Sequence, residues 1–151
     1  MKINLNSRVT IFTMFFAIVL SSCEKAPTDL AGNYLGSVSS TQTTEMFNPP
    51  MNQQFTSNAV MQATVYIQDG SAFVDCAYLC EDVKLKNGKA SINCTENSNS
   101  GGVDQVTTTT GQIIATGTSL QFDLTRISEG SVSGVLASRI TTTYVGTIPK
   151  M

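Results

Sequence analysis

Apolar and polar residues alternate along most of this chain with a period of two, the spacing of half-buried strands. Between Thr56 and Gln68, Met61, Ala63, Val65 and Ile67 share one face, and Gln62, Thr64, Tyr66 and Gln68 share the other. Asp69-Gly70 then supplies a dipeptide suited to a two-residue hairpin turn. Pairing across it sets Val65 against Val74, Tyr66 against Phe73 and Ala63 against Cys76, with Cys76 toward the core. Asn87-Gly88 predicts a second hairpin, with Val83 opposite Ile92 and Leu85 opposite Ala90 on the apolar face. Its wet face pairs Lys84 with Ser91 and Lys86 with Lys89. Further on, Leu120, Phe122 and Leu124 alternate with Gln121, Asp123 and Thr125.

The segments between these strands are read from their turn residues. Leu30–Gln42 forms a first strand, and Thr43–Gln54 a loop centred on Asn48-Pro49-Pro50. Glu96–Gly102 reads as an Asn/Ser/Gly loop, and Val103–Ala115 as one long strand or two short ones around Gly111. Thr116-Gly117-Thr118 and Glu129-Gly130 read as turns, and Val135–Ile148 as the last strand region. The sum is about eight antiparallel strands with no helical periodicity. Tyr144-Val145-Gly146-Thr147-Ile148 echoes Tyr34-Leu35-Gly36-Ser37-Val38, which suggests that first and last strands lie side by side and close the sheet. The expected fold is an all-β, antiparallel, eight-stranded barrel, wide enough for packed side chains or one small ligand.

The N-terminus breaks the alternation. Lys2 and Arg8 precede Val9–Leu20, a charge-free apolar run. This is the layout of a secretory signal. Twelve helical residues cover about 18 Å, well short of a bilayer's ~30 Å hydrocarbon core. The run ends in Leu20-Ser21-Ser22-Cys23, which resembles the lipobox of bacterial lipoproteins. That resemblance implies cleavage before Cys23, a lipid on its thiol and acylation of its amino group. The expected organisation is a signal peptide over 1–22, a lipidated tether over 23–29 and a β-barrel domain over 30–151. Glu24 and Lys25 after the cysteine point to the outer membrane, on its periplasmic face or at the cell surface. The six residues Glu24–Asp29 span about 20 Å when extended, so the domain sits close to its membrane.

The short tether, Gly32-Asn33-Tyr34 on the first strand and Tyr144-Val145-Gly146 on the last resemble the small calycin-like (lipocalin-like) lipoproteins of Bacteroides-type bacteria. The resemblance covers 30–151 and implies the same barrel. Lipocalins carry Gly-x-Trp where this chain has Gly32-Asn33-Tyr34. It also implies a basic residue packed on that aromatic, for which Arg139 or Arg126 is the candidate.

Composition narrows the chemistry. Without Lys2 and Arg8, seven basic residues face eleven acidic ones, a net charge of about −4 that does not favour nucleic acid. The chain has no histidine, which removes Ser-His-Asp and Cys-His catalysis and His-ligated zinc. The expectation is a non-enzymatic protein without cofactor or metal. Cys76, Cys80 and Cys94 follow Cys23. A Cys80–Cys94 disulfide is expected across the second hairpin, with three buried thiols as the other arrangement. Cys94 falls opposite Glu81, so the bridge needs a bulge near that residue.

Other clusters read as surface. Glu96, Asn97, Asn99 and Asp104 place oxygens in one segment without a calcium-loop spacing. Asp75, Glu81 and Asp82 read as surface carboxylates, and Lys84, Lys86 and Lys89 as a solubilising strip. Two functional readings remain. In one, the barrel holds a small apolar or amphipathic ligand among Met61, Val65, Ile67, Leu85, Ile92, Leu120, Phe122 and Leu124, with space opened by Ala63, Ala90 and Ala115. In the other, those residues fill the barrel and the Asn48-Pro49-Pro50 segment docks a larger envelope complex.

Overall fold

A computed structural model describes residues 28–76 and 80–151, with the Cys80 side chain excepted. The expected signal peptide, Cys23 and most of the tether therefore lie outside the described residues. A 3₁₀ turn, Thr28–Leu30, leads into eight strands: β1 (Gly32–Phe47), β2 (Pro50–Gln68), β3 (Ser71–Cys76), β4 (Cys80–Leu85), β5 (Lys89–Ser100), β6 (Val103–Ala115), β7 (Ser119–Val132) and β8 (Val135–Pro149). They form one antiparallel sheet in the order β4-β3-β2-β1-β8-β7-β6-β5, curled into a nearly closed barrel. The first and last strands do lie side by side, Ser40 opposite Tyr144.

The alternating segments fold as read. Val65 pairs with Val74 and Tyr66 with Phe73. Asp69-Gly70 and Asn87-Gly88 both turn with positive φ (50° and 73°, 52° and 72°), as tight hairpin turns demand. The inward rows meet in one core in which Tyr34, Ile113, Leu120, Phe122 and Ile148 have no accessible surface at all.

One end of the barrel is latched. The buried Tyr34 hydroxyl donates to the Leu30 carbonyl at 2.6 Å, and burial raises its pKa. Lys150 Nζ donates to the Asp29 carbonyl at 2.8 Å, and its stem lies across Gly32. Lys150, not Arg139 or Arg126, is thus the basic residue beside this aromatic, paired with Tyr34 by an isolated bridge.

Three segments depart from the sequence reading, for one physical reason. Thr43–Gln54 is not a loop: β1 and β2 run on to Phe47 and from Pro50, around a two-residue Asn48-Pro49 turn. Pro50 is tolerated because it opens its strand. Glu96–Gly102 is strand to Ser100, turning at Gly101-Gly102, and Glu129-Gly130 lies inside β7, which turns at Ser133-Gly134. Apart from Gly130 these stretches bury no residue, and so they show no apolar alternation. Backbone pairing with long neighbours holds them as strands.

The second hairpin also differs. Lys86 and Lys89 exchange backbone hydrogen bonds, but no ladder continues below them, and β5 pairs with β6 instead. A register shift between Val74 and Cys76 and a positive φ at Asp82 bend β4 away. Val83, Leu85, Ala90 and Ile92 still face the core without pairing across the seam. The expected register that set Cys94 opposite Glu81 does not form. Along the seam Glu81, Val83, Ser91, Asn93, Cys94 and Glu96 line an open groove of about 450 Å³.

Candidate functional site

The eight residues expected to surround a ligand converge, but on each other. Leu120, Phe122, Leu124 and Val65 are at most 2 % exposed, and Met61, Leu85 and Ile92 are buried, with Ile67 packed at the margin. A void beside these side chains large enough for water would leave them accessible surface. These side chains pack against one another in one cluster and present almost no accessible surface. Ala63, Ala90 and Ala115 are buried in the same cluster and open no room next to them.

Above this core the strands continue. Six of them (β2, β1, β8, β7, β6 and β5) project as a curved single sheet, open on its outer face and keeping Thr107, Thr109, Thr142 and Gly130 buried on its inner one. Its inner face prolongs the inward rows of the barrel. The topmost core row reads Ser57, Ser40, Tyr144, Leu124, Gly111, Ile92 across the six strands. The row above it reads Phe55, Gln42, Thr142, Arg126, Thr109, Cys94. Arg126 therefore stands at the barrel mouth, between the buried Thr109 and Thr142. Its Nε is buried without a hydrogen-bond partner. One row higher, Thr107 and Ser128 share a hydroxyl–hydroxyl hydrogen bond of 2.9 Å.

The outer face treats its arginine differently. Arg139 donates through Nε to Glu129 at 2.8 Å, places Nη2 2.7 Å from the same carboxylate and reaches Glu45 at 3.7 Å. These groups are well exposed, so the cluster orders the sheet more than it stabilises the fold.

The hairpin ends carry apolar side chains into solvent. Phe47 is 43 % exposed, Met51 46 %, Val132 48 % and Val135 70 %.

The remaining candidates separate. Cys94 is disulfide-bonded, Cys76 is a buried free thiol, and the side chain of Cys80, the expected partner of Cys94, lies outside the described residues. Burial, with help from the neighbouring Asp75 charge, pushes the Cys76 thiol up to about 12. Glu96 points to the inner face, whereas Asn99 and Asp104 bond each other at 2.5 Å on the outer face. This segment does not gather its oxygens around one point. Among the described residues no group of three or more acidic or cysteine side chains is placed to hold a metal.

Asp82 and Asp75 lie on the outer side near Tyr66, which stacks on Phe73 with ring centroids 5.6 Å apart. Asp75 is no simple surface carboxylate, since its Oδ1 is buried without a hydrogen-bond partner. The Tyr66 hydroxyl donates to Asp82 Oδ1 at 2.5 Å, and this bond to a carboxylate raises its pKa to about 12. The bond favours the neutral phenol. Its contribution is therefore complete below the ordinary phenol pKa of about 10 and is lost as pH rises from there toward about 12. Phenolate absorbance should show a late-titrating tyrosine, and Asp82→Asn should move that phase down. A late phase unchanged in Asp82→Asn would refute the assignment.

No protein-family model, no curated protein and no solved structure matches this chain.

Proposed function

We propose that this is a lipid-anchored, non-enzymatic lipoprotein of the outer membrane, of the calycin-like type. Its filled barrel is a scaffold, and the six-stranded extension is its binding surface. The observation that carries the reading is the contrast along single strands. The lower halves of β1, β2 and β5–β8 are packed into an apolar core, while the upper halves are more open, bury only polar residues and glycine, and end in apolar tips. Exposed apolar groups gathered at the hairpin tips suit a protein partner, and Val60 and Val145 are further exposed apolar residues on the outer wall of the barrel. Docking of a larger envelope complex is the role we assign to them.

The anchor rests on Leu20-Ser21-Ser22-Cys23 and the charged, apolar segment before it. The calycin-like assignment is supported by Gly32-Asn33-Tyr34 at the start of β1 and by Lys150 closing over it. The non-enzymatic reading is supported by a chain without histidine.

Because the 3₁₀ turn begins five residues after Cys23, the latched end lies toward the membrane and the hairpin tips lie away from it. β1 alone covers sixteen residues, on the order of 50 Å, so the tips reach well beyond the headgroups. Cells grown with labelled palmitate should incorporate label into the wild-type chain and sediment it with membranes. Cys23→Ser should lose both, and label or membrane attachment persisting in that variant would sink the lipoprotein reading. The docking role is tested separately, by crosslinking from positions 47 and 135 in cells. Crosslinks to one defined partner are expected, and their absence at both positions would count against it.

A further inference from the structure

We propose that the row centred on Arg126 is a binding site for a small organic carboxylate, held by the guanidinium in the mouth of the barrel. This goes beyond the scaffold reading, since it holds whether or not Cys23 carries lipid. The first observation is the buried Nε without a partner, one of two such side-chain atoms among the described residues, the other being Asp75 Oδ1 outside this row. A buried donor left unpaired costs about 1–3 kcal/mol, and such groups in folded proteins call for a partner. The second is the contrast with Arg139, which this chain provides with two carboxylates. Among the described residues no carboxylate pairs with Arg126. Glu96, the acid on the same inner face, lies two strands away and one row higher.

The third observation fixes the charge of the ligand. Arg126 is the one basic residue in the inward rows of the described strands. One guanidinium matches one negative charge. Its Nε–H and an Nη–H form the parallel fork that a carboxylate accepts bidentately. Thr109 and Thr142 on either side limit access from the flanks, Leu124 floors the site, and the open rows above leave one approach. The body of the ligand would lie along those upper rows, where Phe55 and Ile140 offer an apolar wall and Thr107 and Ser128 offer hydroxyls.

The test follows the Arg126 Nε–H resonance by NMR in the protein as purified from its cells, held in non-ionic micelles. Hexanoate and glucuronate are the two probes, and hexanol and glucose are their neutral counterparts. A saturable shift is expected with a carboxylate and none with the neutral molecules. The stronger of the two probes identifies whether the body is apolar or polyhydroxylated. Arg126→Gln should abolish the accompanying shifts at the Thr109 and Thr142 amides. Arg126→Lys, which keeps the charge but loses the fork, should weaken binding on the order of tenfold. Absence of a saturable shift with both carboxylates, equal shifts with the neutral molecules, or carboxylate shifts that persist in Arg126→Gln would each overturn the proposal. Should Arg126→Gln lose its dispersed spectrum, Arg126→Lys decides, and undiminished affinity there overturns it.

Discussion

Truncating Phe122 to alanine is expected to remove about 3–5 kcal/mol of stability, a large part of the 5–15 kcal/mol typical of a domain. Phe122 has no accessible surface and sits at the centre of the inward row of β7, between Leu120 and Leu124. Its strand neighbours Ile113 and Gly146 are fixed by ladders on both sides, so the sheet has little freedom to collapse into the space left. The loss combines the transfer of the ring into water with an unfilled cavity. Denaturant unfolding measures it directly. A midpoint displaced by less than the equivalent of about 1 kcal/mol would mean that Phe122 lines open space.

Gly111→Ala is expected to be comparably damaging for a different reason. Gly111 has φ +137°, a region that side chains rarely enter. A Cβ there would overlap the Asp123 carbonyl oxygen and stand 2.9 Å from Leu124 Cα. Both obstacles are backbone in the middle of β7 and cannot swing aside. Strain of the dihedral alone is worth about 1–3 kcal/mol, and the overlap adds to it. The β6–β7 ladder must bend next to Arg126, so amide exchange along 107–113 should accelerate. Wild-type exchange and stability in Gly111→Ala would contradict this close approach.

Much of the barrel was legible because burial writes itself as alternation. Met61-Ala63-Val65-Ile67 and Leu120-Phe122-Leu124 had to face inward, and Asp69-Gly70 had to turn. The extension was not legible, because strand segments that bury only polar residues and glycine have no apolar period. Asn97-Ser98-Asn99-Ser100 looks like a loop until Val103–Val106 is laid beside it. The seam was missed for the opposite reason: Asn87-Gly88 correctly announced a turn, but a turn does not oblige its strands to stay paired. The bend at Asp82 depends on tertiary context.

The same division applies to the site. The alternation that placed Leu120, Phe122 and Leu124 inward, carried one step further, places Arg126 inward too. That signal was present but was read only as a basic residue near an aromatic. Lys150 took that role because the final bridge brings it beside Tyr34, two residues past the alternating stretch that suggested the last strand.

The central claim is that the barrel below Arg126 is filled by its own side chains. The measurement that tests it most directly is the denaturant midpoint of Ala63→Leu. Ala63 lies opposite Tyr34 in the core and is 2 % exposed. A filled barrel has no room for three more carbons and should lose about 1–3 kcal/mol by overpacking. Unchanged or increased stability in Ala63→Leu would show a cavity waiting to be filled and would contradict the account.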